Sequence, residues 1–425
     1  MFIRLVIIAV IGVIFWQVIH SSTTLSIKSQ NITTRKVPLM NISYETSTAL
    51  SYLNTIRSHM GMQRLEKNEH LTQAAKAHAS YMVQNQEQSH YEVEGHPGFT
   101  GEKPVDRAMK FSYLSLQVSE NISTAHHEAH ESIDGLFSAI YHRFGFLSTS
   151  IDEIGVGVVQ DPNDSDKSAF TYVMGNHALN TLCHEKSFTG YGKYFHSCKD
   201  NTHRIKEKVF LDSISHCQQN NPNIIVYPYN KQQNVPPVFY DETPDPLPNY
   251  EVSGFPISIT FNSYYYKDVT LLDFTLFDTQ NKHISVKTMD KSSDPHHAFT
   301  KYQFAIFPLK RLAYNETYHA EITYKTQGKI EKKRWSFSTI KIKEKYIQIE
   351  KTYETLTLKA QEGYVLYFPP VDAHDLLGNL QFPEGVAITF LDHNTIRLTV
   401  ISDDVDHFVL DTGKKQVEIT VTGNH

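Results

Sequence analysis

Three stretches in the first third of the chain carry apolar residues at helical spacing. In the first, Leu50, Leu53 and Ile56 recur before Gly61, which ends the pattern. Apolar residues three and four positions apart lie on one face of a helix and indicate packing on a core. The sequence therefore predicts three helices, the last ending at or soon after His142. In the second stretch, this spacing is shown by Leu71, Ala74, Ala75, His78, Tyr81 and Met82. In the third stretch, it is shown by Ile133, Leu136, Phe137, Ile140 and Tyr141.

A hairpin follows these helices and closes the first domain. Residues 154–159 and 169–174 have the composition of strands, and the polar run 161–166 between them is a strong turn signal. Helices followed by an antiparallel hairpin predict a layered domain of helices and strands over residues 44–178.

Beyond residue 226 the pattern changes to short strands separated by turn residues. Strands spaced in this way predict an immunoglobulin-like β-sandwich over residues 226–340, with Trp335 in its core. Residues 341–425 continue the β pattern and form either a second small β-module or strands added to the first. The predicted fold class is therefore α+β. The strands expected in the sandwich are 257–261, 270–277, 302–307, 320–324 and 334–339.

The N-terminus carries a targeting segment. After Arg4, residues 5–19 are apolar apart from one glutamine. They would form a helix of roughly 22 Å, shorter than the ~30 Å hydrocarbon core of a bilayer, which favours a signal peptide at 1–20 over an uncleaved membrane anchor. Either reading predicts a secreted, periplasmic or membrane-anchored protein, with membrane contact only through this segment. Residues 21–43 are polar and are interpreted as a flexible tether.

Composition and cysteines narrow the function classes. A net charge of −6 is the wrong sign for a nucleic-acid-binding surface, so no nucleic-acid partner is expected. In an exported chain, Cys183 and Cys198 are predicted to form a disulfide in the connecting segment 179–225. Zinc binding with the neighbouring His184 and His196 is the alternative. The third cysteine, Cys217, is then left over.

Three polar residues interrupt the structural pattern of the first domain. They are His90 after the second helix, Glu120 in a Ser-Glu-Asn-Ile run, and His142 at the end of the third helix. Two imidazoles and a carboxylate suit a zinc site with an open position, and they equally suit an acid–base pair. Their separations of 30 and 22 residues do not by themselves bring them together.

These residues lie in motifs that resemble the cysteine-rich secretory, antigen 5 and pathogenesis-related (CAP) family, in its bacterial form. The resemblance covers roughly residues 45–178 and keeps the order of the family's motifs. Ser119 stands where the family usually has glycine. The matching stretches are 49–57, 71–79, Ser-His-Tyr at 89–91, Glu-Asn-Ile at 120–122, His-Arg at 142–143, and 153–157.

The resemblance implies an α-β-α sandwich with a shallow cleft floored by His90, Glu120 and His142. Many family members place a second acid there, but this chain has Ser138-Ala139 at the corresponding point of the third helix. Glu131 and Asp134 are interpreted as solvent-facing. The expected site is therefore at most these three residues, with Zn²⁺ or another divalent ion as the implied cofactor.

The leading functional hypothesis is an exported binding protein at the cell envelope. The family is known for binding lipids and sterols, so the cleft is expected to take a small lipid, glycan or peptide. The first alternative is a metal-dependent hydrolase with His90 and His142 holding the ion and Glu120 as base. The second is a structural or adhesive module with a vestigial cleft. Whether the protein is an enzyme stays open.

Other motifs give weaker signals. His126 and His130 are four residues apart, but the surrounding sequence lacks the His-Glu-x-x-His order of zinc proteases, and solvated histidines are the favoured reading. The Tyr264-Tyr265-Tyr266 run resembles an aromatic ligand platform, although such runs more often pack in a β-domain. Ser187 lies in no Gly-x-Ser-x-Gly turn, which disfavours a serine hydrolase.

Overall fold

The computed structural model describes residues 38–423, apart from 241, 251, 371–376, 378–379 and 381. The targeting segment 1–20 and most of the expected tether lie outside the described residues. In the described part of the chain, no helix has the length and apolarity that a membrane span needs. The chain divides into two compact units, with the boundary between Lys343 and Glu344.

The first unit contains the helices. Asn41 caps α1 by accepting a hydrogen bond from the Tyr44 amide, so the helix begins at Ile42, inside the expected tether. Asn68 caps α2 in the same way, and α2 ends at Asn85, before Gln86, whose φ is 54°. The helices are α1 (Ile42–His59), α2 (Glu69–Asn85), α3 (Pro104–Lys110), α4 (Ala129–Ser138), α5 (Ile140–Phe146), α6 (His177–His184) and α7 (Glu207–Gln219).

The predicted third helix is in fact two helices. Its residues are divided between α4 and α5, because Ala139 is extended with a ψ of 117°. The Arg143 side chain, which lies on α5, donates across this break to the carbonyls of Phe137 and Ser138 at the end of α4. The prediction that the helix ends at or soon after His142, before Gly145, is therefore wrong: His142 is the third residue of α5, which continues through Gly145 to Phe146.

The first domain has three layers around a four-stranded sheet of order β1-β3-β4-β2. Its middle strands form the predicted hairpin. Residues of α1 and α4 pack on one face of the sheet, against Ile154 and Val156, and residues of α2 and α3 pack on the other, against Val173. The strands are β1 (Glu66–Lys67), β2 (Ser119–Thr124), β3 (Glu153–Asp161) and β4 (Asp164–Gly175).

Two glycines of β3 let α2 approach the sheet closely. A Cβ at Gly155 would lie 2.0 Å from the carbonyl carbon of Leu71, and one at Gly157 would lie 2.3 Å from that of Ala75. Real Cβ atoms do not come this near to a backbone, so only glycine fits at both positions. This contact fixes the position of α2 and of the loop that follows it.

A β-domain with two sheets completes the first unit. The sheets have the orders β11-β10-β14-β15-β8 and β12-β13-β9-β7. Trp335 is buried in their core, as predicted. The immunoglobulin-like identity of this domain stays a prediction. The strands are β7 (Ile224–Tyr227), β8 (Gln232–Val235), β9 (Ile257–Phe261), β10 (Thr270–Phe277), β11 (His283–Ile284), β12 (Val286–Met289), β13 (Gln303–Pro308), β14 (Thr317–Thr326) and β15 (Lys329–Thr339).

One buried side chain ties α5 to this β-domain. Arg143 donates to the carbonyl of Pro256 at 2.8 Å and to Oγ of Ser258 at 3.1 Å. Its guanidinium also lies over the rings of Tyr227 and Phe255, at 4.9 and 5.0 Å. The helix that carries His142 is thus packed against the β-domain.

A short hairpin, β5 (Tyr194–Phe195) and β6 (Ile205–Lys206), lies between the two domains of the first unit in the sequence. The second unit has two sheets of its own, β16-β18-β20-β19 and β17-β22-β21, around a separate apolar core. Its strands are β16 (Lys345–Gln348), β17 (Tyr353–Lys359), β18 (Gly363–Tyr367), β19 (Val386–Asp392), β20 (Thr395–Val400), β21 (His407–Asp411) and β22 (Gln416–Thr422).

Candidate functional site

Three different elements carry the residues singled out in the sequence. His90 lies in the loop after α2, where the left-handed conformation of Gln86 turns the chain away from the helix. Glu120 is the second residue of β2 and pairs with Val173 of β4. His142 lies in the first turn of α5.

Glu120 is the buried centre of the site. Nδ1 of His90 donates to its Oε1 at 3.0 Å. One nitrogen of the Arg107 guanidinium donates to both carboxylate oxygens, at 2.8 and 2.9 Å. Burial alone would raise the pKa of Glu120, but the hydrogen bond from His90 and the charge of Arg107 outweigh it and hold that pKa below its ordinary value. Glu120 is therefore a carboxylate at neutral pH.

A second buried pair supports this arrangement. Nδ1 of His78 lies 2.9 Å from Oε1 of Glu92, and its Nε2 lies 3.7 Å from Glu120. Glu92 also accepts the backbone amides of Thr100 and Gly101. Burial acts to raise the pKa of Glu92, while the His78 hydrogen bond and these contacts lower it overall. His78, which the helical pattern assigned to the core, thus belongs to the buried polar layer beneath the site.

His142 faces His90 and has its own carboxylate. The centroids of the two imidazoles are 6.3 Å apart and their planes differ by 24°. Nδ1 of His142 lies 3.2 Å from Oε2 of Glu242, whose side chain is only 3% exposed. The other oxygen of Glu242 accepts the backbone amides of Ile140 at 2.6 Å and Tyr141 at 3.3 Å. Burial raises the pKa of Glu242, and the hydrogen bonds from His142 and the two amides only partly oppose it.

Glu242 is the residue that sequence reasoning missed. It lies in the proline-rich connector, 100 positions after His142 and outside the predicted domain 44–178. The two acids considered on the third helix are elsewhere. Glu131 accepts the amide of His127, Asp134 accepts the hydroxyl of Tyr52 at 2.7 Å, and both are exposed. No periodicity or motif in the connector indicated that Glu242 would reach α5.

The two carboxylates determine which imidazole nitrogen faces a ligand. An ionised carboxylate can only accept a hydrogen bond, so Nδ1 of His90 carries the hydrogen that Glu120 accepts. The same assignment holds for Nδ1 of His142 when Glu242 is ionised. Nε2 of His90 and of His142 is then the nitrogen with a lone pair. The side chains of these histidines are 39% and 16% exposed, so both are within reach of solvent. The site can therefore offer two oriented imidazole acceptors to one ligand.

These residues could supply only a small number of ligands to a metal ion. Among the described residues, no group of three or more His, Cys, Asp or Glu side chains is arranged to hold one. Both oxygens of Glu120 are engaged by Arg107, and one also by His90. The ligands left for a divalent ion are Nε2 of His90 and Nε2 of His142, with Glu120 and Glu242 as the carboxylates that orient them.

The weaker candidates from the sequence form no common site with His90, Glu120 and His142 among the contacts of the described residues. Nδ1 of His126 lies 3.6 Å from Glu131, whereas His130 packs on the ring of Tyr52. Tyr264 and Tyr265 are exposed and meet edge to face at 5.0 Å. Tyr266 is buried in the β-domain core.

The cysteines form one disulfide. Cys183 and Cys198 are bonded, with their Cα atoms 5.5 Å apart. Nδ1 of His184 and of His196 instead contact backbone carbonyls, those of Asn180 and His203. Cys217 is a buried free thiol, and burial raises its pKa to about 12.

Three solved structures are similar to about a third of the chain. An outer surface protein of Borrelia burgdorferi is 17% identical with a TM-score of 0.28, covering 32% of this chain and 95% of that one. An extracellular protein with an SCP domain from Bacillus anthracis is 22% identical with a TM-score of 0.28, covering 32% and 44%. A cysteine-rich secretory protein from Staphylococcus aureus is 14% identical with a TM-score of 0.21, covering 32% and 40%.

A match to a family model identifies the first domain. No curated protein matches the sequence. The model of the cysteine-rich secretory protein family, CAP, matches residues 50–176, which include His90, Glu120 and His142 but not Glu242. Residues 50–176 therefore form a CAP domain.

Proposed function

We propose that the chain is an exported protein of the cell envelope that binds a small lipid, glycan or peptide ligand in the cleft of its CAP domain. The observation that carries the proposal is the pair of imidazoles, each held at Nδ1 by a buried carboxylate. Such pairing fixes the orientation of a side chain before the ligand arrives, which lowers the entropic cost of binding.

The chemistry of the site favours a glycan or a peptide over a lipid tail. Hydroxyl and amide groups donate the hydrogen bonds that Nε2 of His90 and His142 accept. Tyr91 and Val93, which follow His90 in the sequence of the loop, are exposed and offer apolar surface on the same loop. A sugar ring or a peptide side chain can pack on such a surface while its polar groups meet the imidazoles.

Export is supported by two independent features. The first 20 residues have the composition of a signal peptide or anchor. The Cys183–Cys198 disulfide is typical of proteins that fold outside the reducing cytoplasm.

A metal-dependent hydrolase is the second candidate, because carboxylate–histidine pairs commonly orient the ligands of a metal ion. A bound divalent ion would act as a Lewis acid held by Nε2 of His90 and His142. Glu120 is a poor base for such an enzyme, since its lowered pKa and its Arg107 contact keep it an ionised, occupied carboxylate. Glu242, with its raised pKa, is the better acid–base group.

A vestigial cleft in an adhesive module is the remaining alternative.

The test is a binding and activity panel on the full chain. Probes are an N-acetylglucosamine tetrasaccharide, a random-sequence peptide mixture, a lysophospholipid and zinc chloride, together with protease, nuclease and esterase assays. We expect binding of an organic probe that His90→Ala and His142→Ala abolish and that His70→Ala, an exposed control in α2, leaves unchanged. Zinc-dependent turnover that is lost in His90→Ala would instead support the hydrolase. Binding unaffected by either cleft substitution contradicts the proposal.

A further inference from the structure

A basic loop follows the CAP domain and is held in a defined shape. We call residues 186–208 the basic loop. Within it, β5 and β6 pair antiparallel, and the Phe188 amide donates to the carbonyl of Arg204 at 2.8 Å. At its base, Cys198 is bonded to Cys183 and forms a bridge with Ser115. The loop is thus fixed to α6 by the disulfide and to the CAP domain by backbone contacts.

The charge of the basic loop is opposite to that of the whole chain. It contains six Lys and Arg residues and two acids, whereas the chain carries a net charge of −6. Lys193 lies 3.9 Å from Glu207 and Lys208 pairs with Asp212, yet the lysine side chains are 83% and 76% exposed. The exposed lysines of the loop are Lys186, Lys193, Lys199, Lys206 and Lys208.

Large apolar side chains are exposed on the same loop. Tyr191 is fully exposed between Gly190 and Gly192, and Tyr194 and Phe195 are each about two-fifths exposed. The Arg204 guanidinium lies 5.0 Å over the ring of Tyr194 and holds it in place. Scattered exposed apolar residues are ordinary on a protein surface, but a group of them marks an interaction site.

The adjoining helix extends this surface. Val209 and Leu211 at the start of α7 are also exposed. Five of the 18 exposed large apolar residues in the described ranges therefore lie between positions 191 and 211. Phe195 and Phe210 pack at 4.5 Å, which connects the loop to the helix.

We propose that the basic loop docks the protein on an anionic lipid surface, with its lysines against phosphate groups and Tyr191, Tyr194 and Phe195 in the headgroup layer. Basic residues near an anionic bilayer are attracted to it, and aromatic residues prefer the interface between headgroups and acyl chains. A soluble anionic polymer would require the lysines but would gain little from an exposed tyrosine at the tip. The membrane contact expected from the sequence was limited to residues 1–20, and the basic loop adds a second, independent one.

The experiment follows residue 191 by fluorescence in the full chain. Trp16→Phe removes the N-terminal indole, so that Trp335, buried in the β-domain, is the only native reporter left. In this background, Tyr191→Trp places an indole on the loop, and Tyr264→Trp places a matched one on the β-domain. Vesicles contain brominated phosphatidylcholine, alone or in equal parts with phosphatidylglycerol.

We expect quenching by the brominated lipid for the Tyr191→Trp protein with phosphatidylglycerol vesicles and little with phosphatidylcholine alone. Adding Lys186→Ser, Lys193→Ser and Lys206→Ser should raise the lipid concentration for half-quenching by about tenfold or more. The matched control, in which Lys282, Lys325 and Lys329 are replaced by serine, should leave the lipid concentration for half-quenching unchanged. Three results would each overturn the proposal. The first is equal quenching of the Tyr264→Trp protein, and the second is an equal loss of lipid binding with the control lysine substitutions. The third is binding to polyphosphate without quenching by lipid.

Discussion

Glu242 contacts His142 across 100 positions of sequence, with Oε2 of the acid 3.2 Å from Nδ1 of the imidazole. Its other oxygen accepts the first two amides of α5, so one side chain both begins the helix and orients the histidine on it. The CAP match ends at residue 176. A residue from the connector to the β-domain therefore contacts a candidate site residue of the CAP domain.

Two substitutions of Glu242 should affect the stability of the protein and its ligand binding to different extents. Glu242→Ala leaves two buried amides without an acceptor and should lower the free energy of unfolding by about 1–3 kcal/mol. Glu242→Gln keeps an acceptor for the amides, so it should retain most of the stability and still weaken ligand binding at His142. Denaturant unfolding and titration of the organic probe measure the two effects, with the exposed Glu94→Ala as control. Equal losses of stability in both Glu242 variants would contradict the assigned role.

Glu120 should make the protein sensitive to acid. Its folded pKa is lowered, so its contribution is present above the ordinary glutamate pKa of about 4.3 and is lost as the pH falls through the folded value. Glu120→Gln should cost about 3 kcal/mol at pH 7, because it removes the nearer of the two carboxylates that pair with the buried Arg107, the other being Glu92. The difference in the free energy of unfolding between the wild-type protein and Glu120→Gln should become smaller at acid pH. A cost that does not change with pH would show that the pair contributes no charge-dependent stability.

The contact between α2 and β3 should not tolerate a methyl group. Gly155→Ala places a Cβ into the backbone of α2 and should cost several kcal/mol or prevent folding. Gly135→Ala in α4 is the matched control, because its Cβ would meet only His126 at 3.7 Å. Alanine is favoured over glycine within a helix, so this control should be neutral or stabilising by up to about 1 kcal/mol. Thermal unfolding of both variants tests the prediction.

The cysteines should differ in reactivity. Cys217 is buried with a raised pKa, so it should not react with a thiol reagent until the protein unfolds. The unfolded, unreduced chain should then show one thiol, and the reduced chain three. Thiol titration before and after reduction checks this count. Rapid reaction of Cys217 in the folded protein would contradict its burial.

Much of the first domain was predictable because its signals are local. The spacing of Leu50, Leu53 and Ile56 identified α1, and the motif order of the family indicated His90, Glu120 and His142. The break at Ala139 was not predictable, because α5 is held by tertiary contacts of Glu242 with its first amides and of Arg143 with Pro256. The role of Glu242 was hidden for the same reason, since a contact over 100 residues leaves no periodic pattern.

The central claim is that two buried carboxylates, Glu120 and Glu242, orient His90 and His142 so that each presents Nε2 to a ligand. Nitrogen–proton correlation spectra of the imidazoles in the full chain test it most directly. At neutral pH we predict that both rings carry their hydrogen on Nδ1. We also predict that Glu242→Gln changes the tautomer of His142 but not that of His90. Hydrogen on Nε2 of either ring in the wild-type protein would contradict the account.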